Sequence, residues 1–167
     1  FLLSPSPLVL FSENILEAGD FKKDLTVRQN IFHKHSEELF SLMGLLKTWK
    51  NTSKNREVTF LTRCLHSGGH TDVYVKNKPF LKQLTTGSLS KVNEEDTLSI
   101  LFENGIQDVD HMLNPEYSFE HHNWKSSQSY GMIKLDRKEE NQKNNVSAFL
   151  VTSEGGSFVD MEEIDNL

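Results

Sequence analysis

Imidazole and carboxylate side chains crowd into one stretch of the C-terminal half of the chain. Glu120, His121 and His122 are consecutive, and Asp110 and His111 precede them. Both groups are donors that zinc and related ions take in proteins. The spacing matches no established ligand pattern, and neighbouring residues of a strand point to opposite sides of a sheet. We therefore predict a solvated polar segment here and no resident metal.

Carboxylates offer a second kind of metal chemistry. Glu103, Asp108 and Asp110 lie close together in the sequence, and Asp160 and Asp165 follow a predicted strand. Acids at strand ends can hold Mg²⁺ for phosphodiester hydrolysis. Acids at helix ends and in solvated turns are also common without such a role. We keep a metal-dependent phosphodiesterase or nuclease-like α/β domain, active or degenerate, as an alternative, and predict no cofactor.

The single cysteine, Cys64, lies two residues before His66, so the two side chains share a face of a strand. A thiol beside an imidazole has the composition of a nucleophile and its base. Cys64 falls in the most apolar part of its strand, however, where thiols are usually inert. We predict no catalytic residue. One cysteine also excludes an internal disulfide and favours a reducing compartment, hence an intracellular location, nuclear or cytoplasmic.

Charge is distributed unevenly along this acidic chain, whose formal net charge is −6. Residues 47–91 carry nine basic and two acidic side chains, a net charge of +7, whereas residues 92–167 sum to −11. Such a segment could present a basic surface to nucleic acid, phosphate or an acidic protein. The competing interpretation is that the acidic half neutralises it within the fold. The candidate residues for polyanion binding are Lys47, Lys50, Lys54, Arg56, Arg63, Lys76, Lys78 and Lys82.

Residues 57–76, with the sequence EVTFLTRCLHSGGHTDVYVK, lie in the middle of this basic segment. We predict two strands here, joined by a hairpin turn at Gly68 and Gly69. The first strand is apolar on both faces and is expected in the centre of a sheet. The second, residues 72–76, is expected at an exposed edge, where Tyr74 is a candidate contact for a partner protein.

Helix signals flank the predicted hairpin on both sides. Thr26 and Gln29 form a capping box at the start of a long helix. Pro79 is expected to begin a short helix that ends at Leu84, and Asn93 to cap a further helix. The apolar face of the long helix is predicted to contain Phe32, His35, Leu39, Leu42, Leu46 and Trp49.

The C-terminal third is predicted to be mostly β-structure. Strands are expected at residues 130–135 and 146–152, separated by a flexible loop at 136–145, while residues 116–129 are expected to be irregular. A short strand at Phe158 should lead into a terminal helix that Asp160 caps. Phe158, Met161 and Ile164 recur at helical spacing and are candidate partner-binding residues.

Helices interleaved with strands predict an α/β fold, a mixed sheet with flanking helices and a Rossmann-like C-terminal unit; an α+β fold is the alternative. Residues 1–167 should form a single globular domain, which we expect to be a fragment of a larger protein because it begins at Phe1. No apolar run approaches the roughly 20 residues that span a membrane. We expect a non-catalytic protein–protein interaction domain, a scaffold for another protein, with nucleic-acid binding through residues 47–91 as the alternative.

Overall fold

A computed structural model of the chain describes residues 1–4, 36–53, 56–63, 68–89, 116–125, 128–136, 145–154 and 157–164. These residues form one α-helix, α1 (Ser36–Asn51), and eight β-strands. The strands are β1 (Leu2–Leu3), β2 (Thr59–Arg63), β3 (Gly68–Val75), β4 (Lys78–Thr86), β5 (Tyr117–Lys125), β6 (Ser129–Asp136), β7 (Asn145–Glu154) and β8 (Ser157–Ile164).

The strands form two sheets, so the fold is of a mixed α/β type that is rich in strands. The five-stranded sheet has the order β1-β2-β4-β3-β5 and the three-stranded sheet the order β6-β7-β8. Strands β1, β2 and β4 are parallel, whereas β3 runs antiparallel to β4 and β5. The three-stranded sheet is antiparallel throughout.

Helix α1 covers one face of the five-stranded sheet. Leu39 and Met43 of the helix join a buried apolar cluster with Val73, Phe80 and Phe119 of the sheet. Met43 has no exposed surface. Burying a side chain of this size contributes about 1.5–3 kcal/mol, so this cluster is a substantial core among the described residues.

The three-stranded sheet joins a second core through its strands β6 and β7. Ala148 and Leu150 of β7 form a buried cluster with Leu84 of β4, and the half-buried Leu61 and Ile133 pack against it. The surface beside this cluster contains a largely apolar groove of about 440 Å³. Leu61, Leu84 and Ile133 line the groove together with Arg63.

The predicted hairpin of residues 57–76 is wrong in its pairing. Strand β4 lies between β2 and β3, and β2 pairs with β4 in parallel. Strand β3 is therefore flanked on both sides and is not an edge, and Gly68 and Gly69 are strand residues instead of a turn. Paired strands of this kind bring their side chains into fixed cross-strand positions.

The hairpin turn of this region lies later, at Lys76 and Asn77, which join β3 to β4. Both residues have positive φ, 51° and 62°, the signature of the two-residue turn whose twist matches that of paired strands. The short helix predicted from Pro79 is wrong, because Pro79 lies in β4. Pairing of β4 with β2 begins only at Lys82, after Pro79. The absence of a backbone N–H at Pro79 therefore removes no hydrogen bond to β2.

The long helix is present from Ser36, while its predicted capping box and the helix after Asn93 lie outside the described residues. Leu39, Leu42 and Leu46 face the core as predicted. Trp49 does not; 47% of its surface is exposed. Trp49 follows Met43 by six residues, which is one and two-thirds helical turns, so the two side chains leave the helix about 120° apart.

Strands predicted at residues 130–135 and 146–152 are confirmed as parts of β6 and β7. Residues 117–125, expected to be irregular, form β5 instead. The predicted terminal helix is wrong, because β8 extends to Ile164. The Rossmann-like detail is not confirmed, since β6, β7 and β8 form an antiparallel meander. The interior of the predicted flexible loop, residues 137–144, lies outside the described residues.

Candidate functional site

Two neighbouring strands place His70, Asp72 and His122 on one face of the five-stranded sheet. His70 and Asp72 are two residues apart in β3, so they share a face. His122 of β5 stands directly opposite His70 in the strand register. One potential ligand atom from each of these three side chains lies within 4.8 Å of the others. We refer to them as the His-Asp cluster.

The His-Asp cluster is partly buried. His70 is buried and the other two residues are half-buried. The imidazole rings of His70 and His122 stack with centroids 4.5 Å apart, and Nε2 of His122 lies 3.5 Å from Oδ2 of Asp72. Oδ1 of Asp72 and Nε2 of His122 have no hydrogen-bond partner in the part of the chain that the structure describes. Leaving a buried polar atom unsatisfied costs about 1–3 kcal/mol, so this arrangement requires an explanation.

Charged residues adjoin the cluster on both sides. Lys82 of β4 and Glu120 of β5 both stand opposite Asp72 in the register. The hydroxyl of Tyr74 donates a hydrogen bond of 2.7 Å to Oε2 of Glu120. This bond, with burial and the charge of Asp72, raises the pKa of Tyr74 to about 12. The hydroxyl of Tyr74, a predicted partner contact, is therefore protonated and hydrogen-bonded to the neighbouring strand β5.

His121 lies on the opposite face of the sheet from His122, as the strand geometry predicted. Its Nδ1 is 2.8 Å from the hydroxyl of Thr71. Of the ligand set considered from the sequence, only His122 therefore enters the His-Asp cluster, while Asp110 and His111 lie outside the described residues.

An irregularity in β5 fixes the position of this strand against β3. Asn123 has a positive φ of 49°, and the register shifts between Gly68 and His70. Trp124 consequently covers Gly69, where a β-carbon would lie 2.5 Å from the indole ring. The indole Nε1 donates a 3.0 Å hydrogen bond to the carbonyl of His70. Glycine at position 69 therefore provides the space that Trp124 occupies, and the bond holds the backbone at the cluster.

Three of the predicted polyanion-binding lysines form ion pairs. Lys76 and Lys47 approach Glu116, at 2.9 Å and 3.9 Å, and Lys50 lies 2.8 Å from Glu57. The hydrogen bond and charge of Lys76 lower the pKa of Glu116. Pairing with carboxylates reduces the charge that these lysines present to a polyanion.

The other candidate cations that the structure describes lie apart from one another. Arg63 pairs with Thr86 in the register, at the opposite end of β4 from the exposed Lys78. Lys82 is half-buried in the middle of β4, and Lys54 lies outside the described residues. The described candidates therefore do not line up as one continuous basic stripe.

Arg56 has a separate arrangement at the end of α1. Its guanidinium carbon stands 4.6 Å from the centre of the Trp49 ring, and its Nη1 donates to the Trp49 carbonyl oxygen and to the Thr52 hydroxyl. Leu45, one helical turn before Trp49, is 68% exposed. We refer to Leu45 and Trp49 as the helix flank. The other predicted partner contacts, Phe158, Met161 and Ile164, lie in β8.

Sequence reasoning did not single out His70 and Asp72 as a possible ligand pair. The available signal was the alternation His70-Thr71-Asp72, which places two donor side chains on one face of any strand. Assigning Gly68 and Gly69 to a turn put His70 in a loop and concealed this pattern.

Comparison with known proteins gives no match to any family model, curated protein or solved structure. No helix in the described part of the chain is long and apolar enough to cross a membrane.

Proposed function

We propose that this chain is a non-catalytic protein–protein interaction domain whose binding surface centres on the helix flank. The observation that supports this proposal is the exposure of two large apolar side chains, Leu45 and Trp49, one turn apart on the same helix. Exposed apolar residues that are adjacent, unlike isolated ones, commonly mark interaction sites.

The surroundings of the helix flank favour contact with a protein. Ser41, Gly44 and Thr48 are also exposed and carry no charge, and the half-buried Lys47 between them approaches Glu116. Arg56 holds the Trp49 ring from one side. Tryptophan and arginine are both enriched among the residues that dominate binding energy, and a ring restrained before binding loses less entropy on association.

The charge of Arg56 indicates the chemistry of the partner. Its guanidinium bonds to a carbonyl and a hydroxyl oxygen, and no ion pair joins it to a carboxylate within the described residues. We therefore propose a protein partner with an apolar pocket bordered by Asp or Glu. The ion pairs of Lys47, Lys50 and Lys76 make nucleic acid a weaker candidate. An intracellular location, nuclear or cytoplasmic, remains part of the proposal.

The test compares Leu45→Ser/Trp49→Ser with the control Met132→Ser, which changes an exposed apolar residue of the three-stranded sheet. Proteins captured by the wild-type chain are identified by mass spectrometry, and the Kd of each purified candidate is then measured by calorimetry. We expect one partner that binds the wild type and Met132→Ser equally. The double variant should bind it at least about 30-fold more weakly, the effect of losing a residue that dominates binding.

A charge substitution makes this test specific for an acidic partner. Arg56→Glu should weaken binding by more than about tenfold, since it places like charges together. Thermal unfolding of each variant confirms that the fold is retained. Equal affinity of the double variant for every captured partner would overturn the proposal. So would the absence of any protein partner together with salt-sensitive binding to duplex DNA, which would indicate nucleic acid instead.

A further inference from the structure

We propose that His70, Asp72 and His122 bind a divalent transition-metal ion of the zinc class. This inference is independent of the helix flank, which lies on a different element. It rests on the positions of the three donor side chains, on their chemistry and on the pairing of the strands that hold them.

The distances within the His-Asp cluster are close to those of a metal site. Zinc binds imidazole nitrogen and carboxylate oxygen at about 2.0–2.2 Å, and in a tetrahedral site this separates two ligand atoms by roughly 3.4 Å. Nε2 of His122 and Oδ2 of Asp72 are already 3.5 Å apart. All three ligand atoms lie within 4.8 Å of one another, so each needs to move by only about 1 Å to reach the spacing of a tetrahedral site.

The donor types agree with a borderline ion and disfavour a hard one. Two imidazoles and one carboxylate form a known ligand set for zinc and for non-haem iron, and they leave at least one position open. Mg²⁺ and Ca²⁺ prefer oxygen ligands, of which the cluster supplies only those of Asp72. The negative charge of Asp72 offsets part of the charge of the ion, with Glu120 and Lys82 as the charged neighbours in the register.

An ion would also satisfy buried polar atoms that lack a hydrogen bond to the described residues. Oδ1 of Asp72 and Nε2 of His122 are inaccessible to solvent and make no hydrogen bond to any described residue. Both atoms have a lone pair when the carboxylate is ionised and the imidazole is in the matching neutral tautomer. Metal coordination is the interaction for which such a pair of donor atoms is suited.

The backbone around the cluster is held in place before any ion binds. Trp124 covers Gly69 and donates to the carbonyl of His70, which couples β5 to β3 beside the ligands. The positive φ of Asn123 directly follows His122 and sets the change of register. Ligands on paired strands keep their geometry better than ligands on loops.

The test is calorimetric titration of ZnCl₂ into the full 167-residue chain and three variants. Asp72→Asn and His122→Gln each remove one ligand and should weaken zinc binding by more than about 100-fold, beyond the 10–100-fold typical of residues that only support the ligands. The matched control is His121→Gln, an adjacent histidine on the opposite face, which should leave the affinity unchanged. Titrations with MgCl₂ and CaCl₂ should give no binding heat.

A measurement on the wild type covers the case in which a ligand variant fails to fold. In nuclear magnetic resonance spectra, ZnCl₂ should shift the ring signals of His70 and His122 and leave those of His121 in place. The chain has seven histidines in total, so zinc could bind elsewhere. Absence of binding, affinity that Asp72→Asn and His122→Gln leave intact, or shifts confined to other histidines would each overturn the assignment.

Discussion

Gly69 and Trp124 provide a direct test of how β3 and β5 are held together. Gly69→Ala would place a β-carbon 2.5 Å from the Trp124 ring, well inside van der Waals contact, so the ring must move by about 1 Å. Such overpacking costs about 1–3 kcal/mol. Displacing the indole also strains its 3.0 Å bond to the carbonyl of His70, worth about 1 kcal/mol. Alanine also lowers the conformational entropy of the unfolded chain, which stabilises the folded state by about 0.4–1 kcal/mol and offsets part of this cost.

The net expectation is a loss of about 2–3 kcal/mol, equivalent to a decrease in Tm of roughly 5–10 °C for a domain of this size. The matched control is Gly44→Ala. Gly44 is exposed on α1, and a β-carbon added there would meet nothing within 4 Å, so alanine should stabilise the helix by about 1 kcal/mol. Urea unfolding followed by far-ultraviolet circular dichroism measures both without depending on tryptophan emission.

A double-mutant cycle assigns the cost to the indole ring. In a Trp124→Leu background the β-carbon of residue 69 meets a smaller side chain, so Gly69→Ala should become nearly neutral, with a coupling of about 2–3 kcal/mol. Wild-type stability of Gly69→Ala would refute the packing described here. A cost that persists in the Trp124→Leu background would do the same, because it would come from the backbone and not from the ring.

Three further substitutions test other parts of the fold. Met43→Ala removes the fully buried side chain of α1 and should cost about 2–5 kcal/mol in urea unfolding, whereas a loss below about 1 kcal/mol would contradict the described core. Asn77→Val should destabilise the fold by about 1–2 kcal/mol, because a β-branched residue resists the φ of 62°. Asn77→Gly should not destabilise it. Equal Tm values for the two variants would contradict the turn described at Lys76 and Asn77. The ion pair with Lys76 lowers the pKa of Glu116 from its ordinary value of 4.5. The ion pair therefore stabilises the fold above that pH, and this stabilisation is lost as the pH falls through the lowered pKa. Lys76→Met should therefore have a slightly lower Tm than the wild type at about pH 7, and this difference should shrink as the pH falls through the lowered pKa of Glu116. A difference independent of pH would show that the ion pair does not contribute.

Local pattern was sufficient for elements whose own residues carry the signal. Strands β6 and β7 contain the β-branched and apolar runs of residues 130–135 and 146–152, and both were predicted. The spacing of Leu39, Leu42 and Leu46 likewise predicted the buried face of α1. In β7 and α1 the burial is visible in the composition of the segment itself, whereas Tyr130, Met132 and Leu135 of β6 are exposed.

Errors occurred where a residue type serves a contact that is distant in the sequence. Gly69 resembles a turn residue, but it is glycine because Trp124 lies on it, and a single sequence does not show this pairing. Strand β5 is rich in His, Glu and Asn, so its alternation was not recognised as a strand. The His-Asp cluster combines both difficulties, because it depends on the register between β3 and β5.

The register also has a consequence for the order in which the domain folds. Strands β3 and β4 are separated by two residues, and a hairpin of this kind forms in about 1–10 μs. Strand β5 joins β3 across a much greater separation, with Val75 opposite Tyr117. Closing so large a loop has a greater entropic cost and is kinetically late. We therefore expect the hairpin of β3 and β4 to form before β5 docks on it, so that His70 and His122 meet only at this later step.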